Sequence, residues 1–225
     1  MSRAALNDGV APASERDRRF VQSRARATYD RLLAAAAELF AEKGFDDTQT
    51  PDIAERAGVS VGTFYRYFSD KRQAFIELIK NHLQESYDSV MGNLTPELFS
   101  ATRTPKDRRA TVEQVIEILF AHTAQNPPLH RVFLALSLRD EEVAQLRVDY
   151  EERGRQALAL LLEQVVSRDR IADPLAAAEV MGVAAQEVAL ATIGMHGAAR
   201  GPEHAQALRS ALTDMLYRYV FGDET

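Results

Sequence analysis

Ser60 lies between two glycines in Gly58-Val59-Ser60-Val61-Gly62, and the residues that follow include Thr63, Tyr65, Arg66, Tyr67 and Lys71. Two chemistries compete for this stretch. In the first, Ser60 is a nucleophile, because G-x-S-x-G is the pattern of a strained elbow that leads from a buried strand into a helix. That chemistry also needs an acid and a histidine alongside, and His82, His122, His130, His196 and His204 are the available bases. In the second, hydroxyls and cations on one exposed helix face meet the phosphates and base edges of a nucleic-acid duplex. The preceding PDIAERA segment separates them: it is polar and helical in pattern, and no alternation of strands and helices follows that could build a hydrolase sheet.

The elements around Ser60 support the second chemistry. Thr50 is placed to cap a helix, Pro51 suits the first helical position because it lacks an N–H, and Asp52 favours the positive helix end. Gly58 is the residue best able to adopt the left-handed conformation that ends this helix near Ala57. Ser60 then caps a second short helix, Val61 to Tyr67. Counting Thr50 as 1, small Ala54, Gly58 and bulky Phe64 fall at positions 5, 9 and 15, the close contact, sharp turn and anchor of a helix-turn-helix. Ile53 and Val59 fill the space between the helices. Phe64 and Phe68, four apart, share the inner face. Gly62, Thr63, Tyr65, Arg66 and Tyr67 fall on the other faces, and Lys71, after a Ser69 cap, adds a phosphate contact. The alternative for Tyr65 and Tyr67 is that they roof the small domain.

Leu32 to Phe75, and above all the G-V-S-x-G-T-x-Y-x-Y-F-x-x-K run from Gly58 to Lys71, resembles the tetracycline-repressor (TetR) family of bacterial transcriptional regulators. The resemblance implies a regulator that is not an enzyme, binds a near-palindromic double-stranded DNA operator as a homodimer, and is released by a small-molecule effector. It implies that Thr50 contacts phosphate, Ser60 and Val61 sit at the groove entrance, and Gly62 and Thr63 approach bases. Tyr65 and Lys71 would grip the backbone, with Arg66 and Tyr67 on base edges or phosphate. Val61 departs from the polar residue often found there. A helical ligand-binding or scaffold protein without DNA binding is the alternative.

Composition permits this reading. The chain has 225 residues, 46% of them hydrophobic, no cysteine and a net charge of −6. Without cysteine there are no disulfides, thiolate metal sites or cysteine nucleophiles, which suits the cytoplasm. The histidines form no H-E-x-x-H or i, i+4 pair, so neither a metal nor a cofactor is expected. No signal-peptide core and no run of eighteen uninterrupted apolar residues point to a membrane. The acidity is uneven: residues 1–80 hold 13 Lys+Arg against 12 Asp+Glu, and the remainder 14 against 21. Six arginines within residues 16–31 form an arm that either lies near phosphates or is a solvated tail.

Periodicity predicts an all-α fold: a disordered arm at 1–22, a three-helix DNA-binding domain at 23–69 and a helical effector and dimerisation domain at 70–225. Helices are expected at Ser23–Lys43, Pro51–Ala57, Val61–Tyr67, from Ser69 toward Gly92, and at Arg108–Gln125, Pro128–Ser137, Asp140–Arg168, Pro174–His196 and Pro202–Phe221. Asn93–Lys106 reads as a connection. Following the resemblance, the last two helices pair two subunits through Ala185, Ala189, Leu208, Leu212, Met215, Leu216 and Tyr219. The effector pocket draws on Leu83, Tyr87, Ile116, Phe120, Phe133, Leu134 and Tyr150, with His122, His130 and Ser137 as polar contacts. For each of these residues the alternative is an ordinary place in the chain's own core.

Overall fold

Gly44 takes φ 80° and ψ 174°, and this non-helical residue breaks α1 (Glu15–Asp47) near its end. Just beyond the break Phe45 folds back onto Phe40, ring centroids 5.5 Å apart, as the sequence predicts. The computed structural model describes residues 15–101, 104–195, 197 and 200–222. Within them α1 begins at Glu15, eight residues before the expected Ser23; residues 1–14 of the expected arm, and His196, lie outside the described residues.

Three further helices close the first core: α2 (Thr50–Arg56), α3 (Val61–Phe64) and α4 (Lys71–Met91). Phe40, Phe64, Phe68, Phe75, Leu32 and Ile53 are each at most 2% exposed. Truncating any of these aromatics to alanine costs about 3–5 kcal/mol, so the short α2 and α3 are held by packing rather than by their own propensity.

Two caps fall one residue from their expected positions. Gln49, not Thr50, precedes α2, and its N–H donates to Asp52 Oδ2 at 3.4 Å. Asp70, not Ser69, caps α4, accepting from the Gln73 N–H at 2.7 Å. The helix at Val61 is also shorter than expected. After Phe64 the chain tightens into turns with Arg66 N–H on Thr63 O and Tyr67 N–H on Phe64 O.

The remaining helices are α5 (Pro96–Ala101), α6 (Pro105–Thr123), α7 (Pro127–Ser137), α8 (Glu141–Val165), α9 (Pro174–Thr192) and α10 (Pro202–Phe221). The short α5 interrupts what reads as a plain connection. A capping box sets the start of α6 three residues before the expected Arg108, with Thr104 Oγ accepting from Asp107 N–H and the Asp107 carboxylate accepting from Thr104 N–H, both at 3.2 Å. No strand occurs among the described residues, and the fold is all-α.

The first core does not stop at residue 69. Ala74, Phe75, Ile76 and Ile79 of α4, Leu129, Phe133 and Leu136 of α7, and Val143 of α8 belong to it. Ion pairs reinforce the junction. Arg72 forks onto Asp140 at 2.6 and 2.8 Å and reaches Glu142 at 3.0 Å, while Arg139 pairs with Asp46 at 2.8 Å. The Arg72 guanidinium holds the Asp140 carboxyl down at about 2.

A separate core joins α6, α9 and α10 through Ile116, Phe120, Ala189, Leu212 and Leu216. This corrects the expected pairing surface: Ala189, Leu212 and Leu216 face their own chain, at 0%, 3% and 8% exposure. Ala185 and Leu208 are half-buried. Met215 and Tyr219 are exposed, as are Val180 and Val183 of α9.

Candidate nucleic-acid interface and internal cavity

Phe64 and Phe68 hold α3 from below, and what they leave on top is exposed. Ser60, Val61, Gly62, Tyr65 and Arg66 are all solvent-accessible, with Tyr65 at 56%. Gly58 makes the turn with φ 67°, the left-handed conformation the sequence requires of it. Ser60 caps α3, its Oγ accepting from Thr63 N–H at 3.1 Å and lying 2.9 Å from the Thr63 hydroxyl. A Cβ added at Gly62 would meet only Ser60 Oγ, at 3.8 Å. The missing side chain is therefore not demanded by packing within the chain, and it leaves the backbone open to approach from outside. Thr50 is half-buried at the start of α2. Tyr67 is half-buried too, 6.4 Å from Tyr29 between ring centroids, and takes the roofing place left open for it.

Lys71 departs from expectation. Its Nζ donates to the carbonyls of Phe45 at 2.9 Å, Asp46 at 2.8 Å and Thr48 at 2.7 Å, and sits 4.9 Å from the centre of the Phe45 ring. An ammonium has three protons. All are committed to the end of α1, so Lys71 is a structural clamp rather than a phosphate ligand.

The same geometry disposes of the nucleophile reading. The peptide entering Ser60 comes from α2 through a tight turn, not from a strand, and the serine hydroxyl is engaged as a cap. His82, His122, His130 and His204 lie on α4, α6, α7 and α10.

A cavity of about 620 Å³ opens between α4, α6, α7, α8, α9 and α10. Leu83, Tyr87, Ile116, His122, Phe133, Leu134, Tyr150 and His130 line it. Phe120 instead belongs to the α6–α9–α10 core, and Ser137 turns its hydroxyl onto the Leu134 carbonyl at 2.8 Å. The sequence reading missed His82 and Ser86; Ser86 Oγ lies 2.9 Å from Tyr150 Oη. Burial first, and the neighbouring His122 and His130 second, push His82 down to about 4. Burial also lowers His122 and His130.

These histidines make stability pH-dependent. A folded pKa below the unfolded value means that the unfolded chain binds protons the native state refuses. Stability is therefore expected to be level above about pH 7 and to fall from about 6.5 toward 4. Thermal unfolding across that range should show the loss, and His82→Leu should flatten it; an unchanged acid limb in that variant contradicts the assignment.

The family model for bacterial regulatory proteins of the tetR family matches residues 32–78. The HTH-type transcriptional regulator YvdT of Bacillus subtilis is 39% identical over 66 residues, 29% of this chain and 34% of that one. The HTH-type transcriptional activator FasR of Mycolicibacterium smegmatis is 32% identical over 89 residues, 40% of this chain and 37% of that one. The chain thus spans little more than a third of the length of either relative. A crystal structure from Mesorhizobium loti carrying the TetR-family regulator designation superposes with a TM-score of 0.67 at 22% identity, covering 85% of this chain and 98% of that one. At that identity the likeness speaks for the fold alone, and it extends from residues 32–78 to 85% of the chain.

Proposed function

We propose, from the match of residues 32–78 to the tetR family of bacterial regulatory proteins, that the chain is a ligand-responsive transcriptional regulator of that family, binding a near-palindromic operator as a homodimer and released by a small molecule. The observation that carries this reading is the division of α3 and the turns after it: Phe64 and Phe68 are sealed in the core, while Val61, Gly62, Tyr65 and Arg66 are exposed, Tyr65 touching the Phe64 ring edge-on at 5.6 Å. A helix built this way can enter a major groove, with Arg66 on a guanine edge and the Tyr65 hydroxyl on phosphate. Repression is the proposed direction. The relative FasR is an activator, so the sign of regulation is read from expression and not from the fold.

The cavity is the proposed effector site, of the size usual for small-molecule pockets. Phe133 lines it and also belongs to the first core, and α4 carries Leu83 and Tyr87 at the cavity and, in that same core, Phe75 against Phe40 of α1 at 5.2 Å. A ligand that prefers one placement of α4 and α7 can therefore bias the reading helix, with coupling of ~1–3 kcal/mol typical of allosteric proteins. The outward faces of α9 and α10 are the proposed dimer surface. The helix α9 is long and apolar enough, by length and composition, to cross a membrane; a partner copy accounts for that outward apolar face.

The test is selection of an operator from random duplexes, followed by titration of variants. Arg66→Ala should lower affinity for the selected operator by ~1–3 kcal/mol and relax preference at one base pair, leaving random DNA little affected. Tyr65→Ala should weaken both equally. Failure to select any sequence, with the protein folded and dimeric, favours the scaffold alternative.

A further inference from the structure

Three imidazoles from three helices meet at one end of the cavity. The His82 ring on α4 stacks on that of His122 on α6, centroids 4.7 Å apart and 26° between planes, and meets His130 of α7 edge-on at 6.2 Å and 83°. The remaining lining is dominated by aliphatic and aromatic side chains, among them Val112, Leu119, Leu158 and Met181. His122 is only 6% exposed, and its Nε2 is a buried polar atom with no hydrogen-bond partner. Buried polar atoms are rarely left so, and an orphan of this kind on a cavity wall marks where a ligand atom belongs.

Three kinds of head group could sit there. A metal ion does not fit: stacked and edge-on rings do not converge on one point, and among the described residues no group of three His, Asp or Glu is placed to hold a metal. A cationic head meets imidazoles whose environment already disfavours positive charge. A neutral head needs one imidazole, not three. An anion gives all three a role, because histidine alone is neutral in the empty site and able to charge when an anion arrives.

We propose that this end of the cavity is a head-group subsite in which His122 Nε2, with His82 and His130 around it, receives the carboxylate of an amphipathic acid whose apolar body fills the rest. The inference rests on the reading of this cavity as the effector site. The Ser86 and Tyr150 hydroxyls, 2.9 Å apart, lie on the same lining and add donors. The two arginines among the lining residues described, Arg147 and Arg155, are each already paired with a carboxylate. Glu85 of α4 acts on His122 and is itself negative. Arg147 of α8 acts on His130 but is paired with Glu151 at 2.7 Å. On α9, Glu179 and Glu187 line the cavity, and Glu179 is paired with Arg155 at 3.1 Å. The positive charge therefore comes from solvent, as a proton taken up by the imidazole cluster when the acid binds.

Calorimetry on the full-length protein tests this, using decanoate, decan-1-ol and decyltrimethylammonium in buffers of different ionisation enthalpy. Decanoate should bind with uptake of about one proton at pH 7.5, and its affinity should fall about tenfold for each pH unit above that. The alcohol and the ammonium should bind at least ~10-fold more weakly at pH 7 and take up none. His122→Gln, and separately His82→Gln, should weaken decanoate at least ~10-fold and leave the alcohol unchanged, with unfolding curves confirming the fold. Equal affinity for acid and alcohol, no proton uptake, no binding of any of the three, or an unaffected His122→Gln overturns the proposal. Decanoate that binds with proton uptake but leaves operator DNA bound upholds the subsite and removes the effector reading instead.

Discussion

Lys71→Met should lower stability by about 2–3 kcal/mol, since it removes a charged donor from carbonyls that end α1. The three carbonyls of Phe45, Asp46 and Thr48 lie past the break at Gly44, where no helical N–H remains to serve them. Methionine keeps an unbranched side chain of similar length and loses the ammonium with its contact to the Phe45 ring, so the effect reports the clamp. For a chain of this length the midpoint should drop by about 5–10 °C. DNA binding should weaken because the entry into α2 is loosened, yet the salt dependence of what remains should be unchanged. A residue touching phosphate behaves in the opposite way: the slope of log K against log salt falls by about 0.9 while stability holds. That second pattern would return Lys71 to the DNA.

The Lys71 result shows where the sequence was readable and where it was not. Gly58 and Ser60 were legible because their jobs are local: a positive φ and a cap need only the residue itself and its next few neighbours. So were the fold-back of Phe45 and both ends of α10, the latter bracketed by Pro202 and by Gly222 at φ 92°. The caps at Gln49 and Asp70 were missed by one place because Thr48, Gln49 and Thr50, and Ser69 and Asp70, offer adjacent candidates. Which one caps depends on a tertiary demand. Thr48 is drawn inside, its hydroxyl donating to the Gly44 carbonyl at 2.7 Å, and the helix register follows from that.

The cavity illustrates a different limit. Large apolar residues at helical spacing named a part of its wall, but Phe120 and Ile116 sit four apart on α6, and periodicity cannot say that one fronts the cavity and the other the α9–α10 core alone. His82 was invisible as a pocket residue because a lone polar side chain between Asn81 and Leu83 reads as surface. Only the arrival of α6 and α7 beside α4 makes it one of three.

Met215→Glu should dissociate the proposed dimer, and the reason lies in the same ambiguity on α10. Leu212 and Leu216 make one apolar stripe and Met215 and Tyr219 another, offset by about one helical step. The first packs on α6 and α9; the second is 48% and 45% exposed, and α9 exposes Val180 and Val183 at 64% and 58%. A charge at Met215 is harmless to a monomer and intolerable in an apolar contact between two copies. Light scattering should therefore report a single chain for Met215→Glu with its helical signal intact and an unfolding midpoint that no longer depends on concentration. Operator affinity should fall by about 10²–10⁴-fold, because two half-sites are then bound independently rather than through one linked pair of reading helices. Leu212→Glu is the contrasting case: it buries a carboxylate within the chain's own core and should lose the fold along with the dimer. A Met215→Glu protein that remains dimeric and binds the operator normally moves the pairing surface elsewhere, and with it the explanation of why α9 carries an outward apolar face.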